Sequence, residues 1–331
     1  MYLPGLHDPL LLLYLGLMLD ALFGEMGLLF RALPHPVVVA GRVIAGFERR
    51  LNRSNRSERV RRVRGILTVI VLAGGAAAFG WALQFLCRTG VLGAAVEAFA
   101  VAVLIAQRSL FVHVAEVGRA LIQGGLFSAR LAVGHIVGRD PMKLDEAGVA
   151  RAAIESLAEN FSDGVVAPAF WYLAAGLPGL FAYKTVNTLD SMIGHKSPRY
   201  RAFGWAAARL DDLLNLVPAP ISGLLIAAAA IFGRDTSAGA AARIMFRDGR
   251  KHRSPNAGWP EAAMAGALGL ALAGPRHYHE GMVEDPFLGD GTPIATPGDI
   301  SRALGLYFRA CLLLMGLTLG AWLARHFMRP W

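Results

Sequence analysis

Charge and cysteine are scarce in this sequence. Only 17% of its 331 residues are Asp, Glu, Lys or Arg, against roughly a quarter in a soluble domain. Hydrophobic residues make up 55%, and mean hydropathy is +0.45. That balance excludes an ordinary soluble enzyme. Cys87 and Cys311 are the only cysteines, each inside an apolar segment, which excludes a disulfide framework and a thiolate metal cluster. Also missing are a Walker phosphate loop, a dinucleotide glycine fingerprint, an H-E-x-x-H zinc helix, an internal repeat and a Gly/Ser linker. Any use of a nucleotide must therefore come through an atypical site.

What is present is a set of long uncharged runs: Ile66 to Cys87, Gly164 to Tyr183, Leu216 to Gly233 and Ala310 to Ala324. Pro9 to Leu33 is interrupted by Asp20 and Glu25, Gly90 to Ala106 by Glu97, and Ala257 to Pro275 by Glu261. Crossing a bilayer takes about 20 apolar residues per helix, so the runs predict an all-α polytopic membrane protein with about five to eight membrane helices. The first apolar run has no basic residue before Arg31 and no small-residue cleavage site after it, so the N-terminus is expected to be retained.

The net charge of +9 could suggest a nucleic-acid partner. The basic residues gather instead in short inter-helix stretches, nine arginines lying between Arg42 and Arg64 against Glu48 and Glu58. That is the positive-inside pattern. It places this loop and Arg243 to Arg253 in the cytoplasm, with a lipid bilayer rather than nucleic acid as the partner. The simplest organisation is one integral domain over 1–331 with a polar, cytoplasmic helical insertion at about 107–163. Asp140-Pro141 marks a turn there, and Asp145 caps the next helix, with Glu146 in its first turn. Pro168 and Pro178 predict that the Gly164 to Tyr183 run is broken or re-entrant.

Four polar blocks stand beside the apolar runs. In "ARAAIESLAENFSDG", Arg151, Glu155, Glu159 and Asp163 recur every four residues, so on a helix they stack on one face with Asn160 on its flank. Carboxylates stacked this way repel one another unless a cation sits among them. On a soluble helix this would be a solvated face with Arg151 paired to Glu155; beside a membrane run, ionisable groups are functional candidates. In "YKTVNTLDSMIGHKSPRY", Lys184, Asn187 and Ser191 share a face and Asp190 lies just beyond. A cation, an amide, a hydroxyl and a carboxylate together suit a phosphate and its magnesium. The alternative is a polar connection ended by Gly194 and Pro198, but Tyr183, Val186, Leu189 and Met192 argue that this helix is mostly buried.

"AARLDDLLNLVPAP" adds Arg209, Asp211, Asp212 and Asn215, either interface anchors or a third acidic-amide group. "RKHRSPNAGWPEAAMAGALG" brings Lys251, His252, Arg253, Ser254, Asn256 and Glu261. Topology accounts for its basic residues, but not for Asn256 and Glu261 within the apolar part. His277 and His279 in "PRHYHEG" have no further spaced ligands and read as a surface loop, not a metal site.

These blocks, in this order, resemble the adenosylcobinamide-phosphate synthase family of cobalamin biosynthesis, called CobD or CbiB. The resemblance runs from about Asp20 to Gly291 and is carried by "LPHPVVVAGRVI", the E-x-x-x-E-N string, K-x-V-N-T-x-D-S and S-P-N-A-G-W-P-E. Glu25 and Met26 depart from the pattern, standing where an Asp-Pro pair is expected. The resemblance implies a carbon-nitrogen ligase that uses ATP and Mg2+ to join adenosylcobyric acid to aminopropanol phosphate or aminopropanol, with its active site facing the cytoplasm. Neighbouring membrane enzymes of the corrinoid pathway are possible partners. On this reading Glu155, Glu159, Lys184 and Asp190 are catalytic, and Glu155, Glu159, Asp163 and Asp190 are metal ligands. Asn160, Asn187, Ser191, Arg209, Lys251, His252 and Asn256 bind substrate or phosphate. The competing classes are a membrane transporter, against which the missing two-fold repeat speaks, and a non-catalytic membrane sensor sharing the fold, which should have lost several of the four blocks.

Overall fold

The computed structural model describes residues 5–24, 30, 34–138, 140–278, 281–283 and 285–327. Glu25, Met26 and His279 lie outside them. In chain order the helices are α1 (Pro9–Phe23), α2 (Pro36–Leu51), α3 (Glu58–Leu86), α4 (Gly90–Leu104), α5 (Gln107–Arg119), α6 (Gly125–Gly134) and α7 (Glu146–Phe161). They continue with α8 (Ala167–Ile193), α9 (Trp205–Asn215), α10 (Pro218–Ala229), α11 (Ala238–Asp248), α12 (Gly258–Leu268) and α13 (Pro297–Phe327). Two minimal antiparallel pairs are the only sheet among the described residues. β1 (Leu272–Ala273) joins β4 (Phe287–Leu288), and β2 (Arg276–Tyr278) joins β3 (Gly281–Val283). His277, expected in a surface loop, lies in this second hairpin.

The protein is all-α and polytopic. Among the described residues, four helical stretches are long and apolar enough to cross a membrane: Glu58–Leu86, Gly90–Gly134, Glu146–Ile193 and Pro297–Phe327. A fifth is the pair Trp205–Asn215 and Pro218–Phe232, bent by 46°. At 15 and 11 residues, α1 and α12 are too short to cross alone.

The chain divides into two compact units: 1–106 with 167–215 and 317–331, and 107–166 with 216–316. The stretch read from sequence as a polar insertion thus belongs with the later segment 216–316.

In the first unit, α3 and α8 pack along one another, with Ile44, Val69, Leu189, Ile193, Phe203 and Ala207 as the core between α2, α3, α8 and α9. Lipid is as apolar as leucine, so close backbone approach, rather than water exclusion, holds such helices together. Gly80 shows this: a Cβ there would stand 2.6 Å from the Leu177 carbonyl oxygen. The expected break in α8 is present at Ala175 (φ −144°) and Gly176 (φ +65°), just before Pro178. Gly176 is in the left-handed region that a side chain disfavours. Beside the break, Glu97 of α4 accepts hydrogen bonds from Tyr172 Oη (2.9 Å) and Gln84 Nε2 (3.2 Å).

In the second unit, Asp145 caps α7 as expected, its Oδ1 accepting the Gly148 N–H at 2.7 Å, with Glu146 in the first turn. Far from being a solvated helix, α7 is buried from Gly148 almost to its end and passes into a π-helical turn, Ser162–Val166. Such turns recur at functional sites. α12 is buried along its whole length against α10 and α11.

Candidate functional site

The polar blocks fall into two sets, one in each unit. In the second unit the stripe on α7 is divided by its surroundings. Glu155 is 4% exposed, and its Oε1 accepts the backbone N–H of Ala273 at 2.8 Å, with Arg151 Nε 4.0 Å away. Ala273 is the one described non-glycine residue with positive φ, +59°. A conformation of that kind persists only where its surroundings impose it. Glu155 therefore pins a strained turn. One turn further on, Glu159 and Asn160 are exposed, Asn160 Nδ2 donating to the Ser156 carbonyl at 2.9 Å, and Asp163 lies half-buried in the π turn.

Lys251 is held by a residue the sequence reading did not single out. Asp248, fully buried at the end of α11, receives Arg247 Nε (2.8 Å), Arg247 Nη2 (2.6 Å), Lys251 Nζ (2.7 Å) and the Gly289 N–H (3.0 Å). The Arg247 hydrogen bonds, opposed by burial and reinforced by Lys251 and Gly289, hold its carboxyl well below the usual range. The signal was in the sequence: an acid at a helix C-terminus opposes the helix dipole, and in "RDGRK" it has basic residues on both sides. Next to it, the buried imidazole of His252 stands 3.9 Å from Glu261 Oε1, and Asn256 is buried, its N–H donating to Ser254 Oγ at 3.3 Å.

In the first unit, α8 and α9 build a chain of neutral donors around one carboxylate. Asn187 Nδ2 donates to Asp211 Oδ1 (3.3 Å) and Asn215 Nδ2 to Asp211 Oδ2 (3.0 Å), while Tyr183 Oη donates to Asn215 Oδ1 (3.0 Å). Asp190 and Asp212 lie close enough to act on Asp211 electrostatically. The half-buried Lys184 lies one turn before Asn187 on α8. Ser191 is exposed and its hydroxyl donates to the Asn187 carbonyl at 2.9 Å. Arg209, also exposed, reaches Asp212 at 3.5 Å. Asp211 thus becomes a centre of this set, with Asn215 and Tyr183. Its marker in the sequence is the four-residue spacing of Asp211 and Asn215, facing that of Tyr183 and Asn187.

Among the described residues no group of three or more His, Cys, Asp or Glu side chains is arranged to hold a metal, and Glu155 Oε1 is already engaged. The donors do not form a cage for a bare ion. Magnesium arriving with a nucleotide asks for less, one or two carboxylates beyond the phosphate oxygens. Glu159 and Asp163 suit that demand.

Residues 13–307 match the profile of a family described as CobD/Cbib protein. Three similar proteins carry the name cobalamin biosynthesis protein CobD. That of Sinorhizobium sp is 53% identical over 313 residues, covering 94% of this chain and 97% of the relative. That of Rhizobium meliloti strain 1021 is 52% identical, covering 91% and 93%. That of Brucella suis biovar 1 is 50% identical, covering 96% and 98%. No solved structure matches this chain.

Proposed function

Because the chain belongs to the CobD/CbiB family, we propose that it is an adenosylcobinamide-phosphate synthase of cobalamin biosynthesis, an ATP-dependent ligase joining adenosylcobyric acid to aminopropanol phosphate or aminopropanol. A carboxylate and an ammonium do not condense at neutral pH. In the proposed reaction the corrinoid carboxylate attacks the γ-phosphorus of ATP, giving an acyl phosphate and ADP. The amine, after losing a proton, attacks the acyl carbon, and inorganic phosphate leaves as the amide forms. Magnesium bound with ATP would neutralise charge on the phosphoryl oxygens.

The observation that carries the reading is Asp211, a buried carboxylate hydrogen-bonded by the neutral amides of Asn187 and Asn215. Neutral donors leave its charge uncompensated, which suits it to take the proton of the incoming ammonium, with Asp190 beside it. Lys184 supplies positive charge to the transferring phosphoryl group, and Asn187, Ser191 and Arg209 surround the phosphates. In the second unit, Lys251, fixed by Asp248 but half-exposed, has donors left to offer a phosphate, next to His252 and Asn256. The arginine-rich loop of residues 42–64 supports a cytoplasmic side of the inner membrane for the groups of the first unit. An impermeant thiol reagent applied to intact cells should leave a cysteine at Arg56 unlabelled.

A transport reading has one observation of its own: Glu97, buried in a candidate span beside the broken α8, resembles the carboxylates of ion paths. Purified protein mixed with adenosylcobyric acid, aminopropanol phosphate and Mg-ATP separates the two. Ligation predicts a corrinoid amide by mass with one ADP released per amide. Corrinoid flux across proteoliposomes, with neither amide nor ADP, would select transport.

A further inference from the structure

Arg302 and Arg309 lie two turns apart on α13, a helix long and apolar enough to cross a membrane, and they are served differently. Arg302 is bonded to Asp299 Oδ1 (2.8 Å), the Asp235 carbonyl (2.7 Å) and the Leu268 carbonyl (3.0 Å). Arg309 makes no hydrogen bond or ion pair among the described residues, and its Nε is buried. A guanidinium beside hydrocarbon without an anion is unfavourable.

Its guanidinium lies between Gly233, where a Cβ would stand 2.6 Å from Nη2, and Gly305 of its own helix, where a Cβ would stand 3.8 Å from Nη1. Gly305 also lines an open groove of about 520 Å³ with Phe111, Ser301, Leu304 and Phe308, within the size range of ligand sites. The surface nearby is apolar and exposed at Phe308, Leu312, Ile231 and Phe232. An uncompensated cation and an apolar groove share Gly305 as a border. We propose that this groove holds one anionic phospholipid, with an acyl chain along Phe111, Leu304 and Phe308 and the phosphate on the Arg309 guanidinium. A free phosphate would satisfy the cation and leave the groove empty, whereas an amphiphile satisfies both. A zwitterionic lipid brings a cation of its own next to the guanidinium.

The test is native mass spectrometry of the full chain in detergent, titrated with phosphatidylglycerol, phosphatidylcholine or inorganic phosphate. Wild type should retain phosphatidylglycerol about fivefold more tightly than phosphatidylcholine, the preference one basic contact gives at a membrane surface, and inorganic phosphate should not displace it. Arg309→Gln should abolish the preference. Gly305→Leu, whose side chain would extend into the open groove while the guanidinium stays, should weaken both lipids. The proposal is overturned by a wild type without the preference, by displacement with inorganic phosphate, by an Arg309→Gln protein that keeps the preference, or by a Gly305→Leu protein that binds both lipids as wild type does. The wild-type arms decide the matter even if a variant does not fold.

Discussion

Asp248 and Asp211, buried aspartates in different units of the chain, are held in opposite ways. Asp248 accepts from a guanidinium, an ammonium and a backbone N–H, so its charge is closed off and its carboxyl is tied up in cross-links. Asp211 accepts from two carboxamides, with another carboxylate, Asp190, nearby. Burial by itself does not mark a reactive acid. What separates the two is whether the partners cancel the charge or merely orient it, and only the second kind is poised to exchange a proton. The same contrast runs inside α7, where Glu155 is fixed on a backbone N–H while Glu159 is exposed.

The largest expected effect is on the unit that contains Asp211. Lys184→Ala should lower turnover and kcat/KM by similar factors, about 10²-fold or roughly 3 kcal/mol, because its charge matters most as the phosphoryl group transfers. Lys184→Arg should rescue only partly, since a planar fork does not reproduce a compact ammonium. Steady-state ADP release coupled to amide formation checks both; wild-type kinetics in the alanine variant would remove Lys184 from the chemistry.

On the other side of the comparison the effects are on stability. Asp248→Ala should destabilise the protein by about 2–3 kcal/mol, the scale of hydrogen bonds to charged groups. The half-exposed Arg247 and Lys251 can rehydrate, which keeps the loss below that of a sealed ion pair. The depressed carboxyl of Asp248 also fixes a sign with pH. Its contribution is complete above the ordinary carboxyl value of 3.8 and is lost as pH falls below it toward the lower folded value. The melting-temperature gap between wild type and Asp248→Asn should therefore be level from neutral pH downward and narrow only in strong acid. A gap that closed near neutral pH would assign the stability to another group.

Smaller still is Glu155→Ala, at about 2 kcal/mol for an orphaned buried N–H at Ala273. Glu155→Gln should cost less, because its Oε1 still accepts that N–H. If Glu155→Gln instead stops amide formation with the melting temperature unchanged, Glu155 belongs with the reactive carboxylates.

What the sequence discloses is what short-range physics decides. Apolar runs of crossing length became helices, Asp145 and Glu146 formed the cap their types predict, and Pro178 announced the break at Ala175 and Gly176. Contacts made across the chain left no such trace. Glu155 meets Ala273, 118 residues away, and Asp248 meets Gly289, 41 away, so a four-residue spacing that puts three acids on one face says nothing of which are engaged. The interleaving of 107–166 with 216–316 was hidden for the same reason, since α7 is polar enough to read as solvated yet is covered by helices far along the sequence.

The account rests most directly on amide formation measured in Asp211→Asn and Asp248→Asn, each per mole of folded protein and paired with its melting temperature. It predicts that Asp211→Asn loses about 10²-fold in rate, the scale of a general base, while melting close to wild type, and that Asp248→Asn melts lower but still forms amide. An Asp211→Asn protein working at the wild-type rate, or an Asp248→Asn protein that stops working without melting earlier, would contradict it.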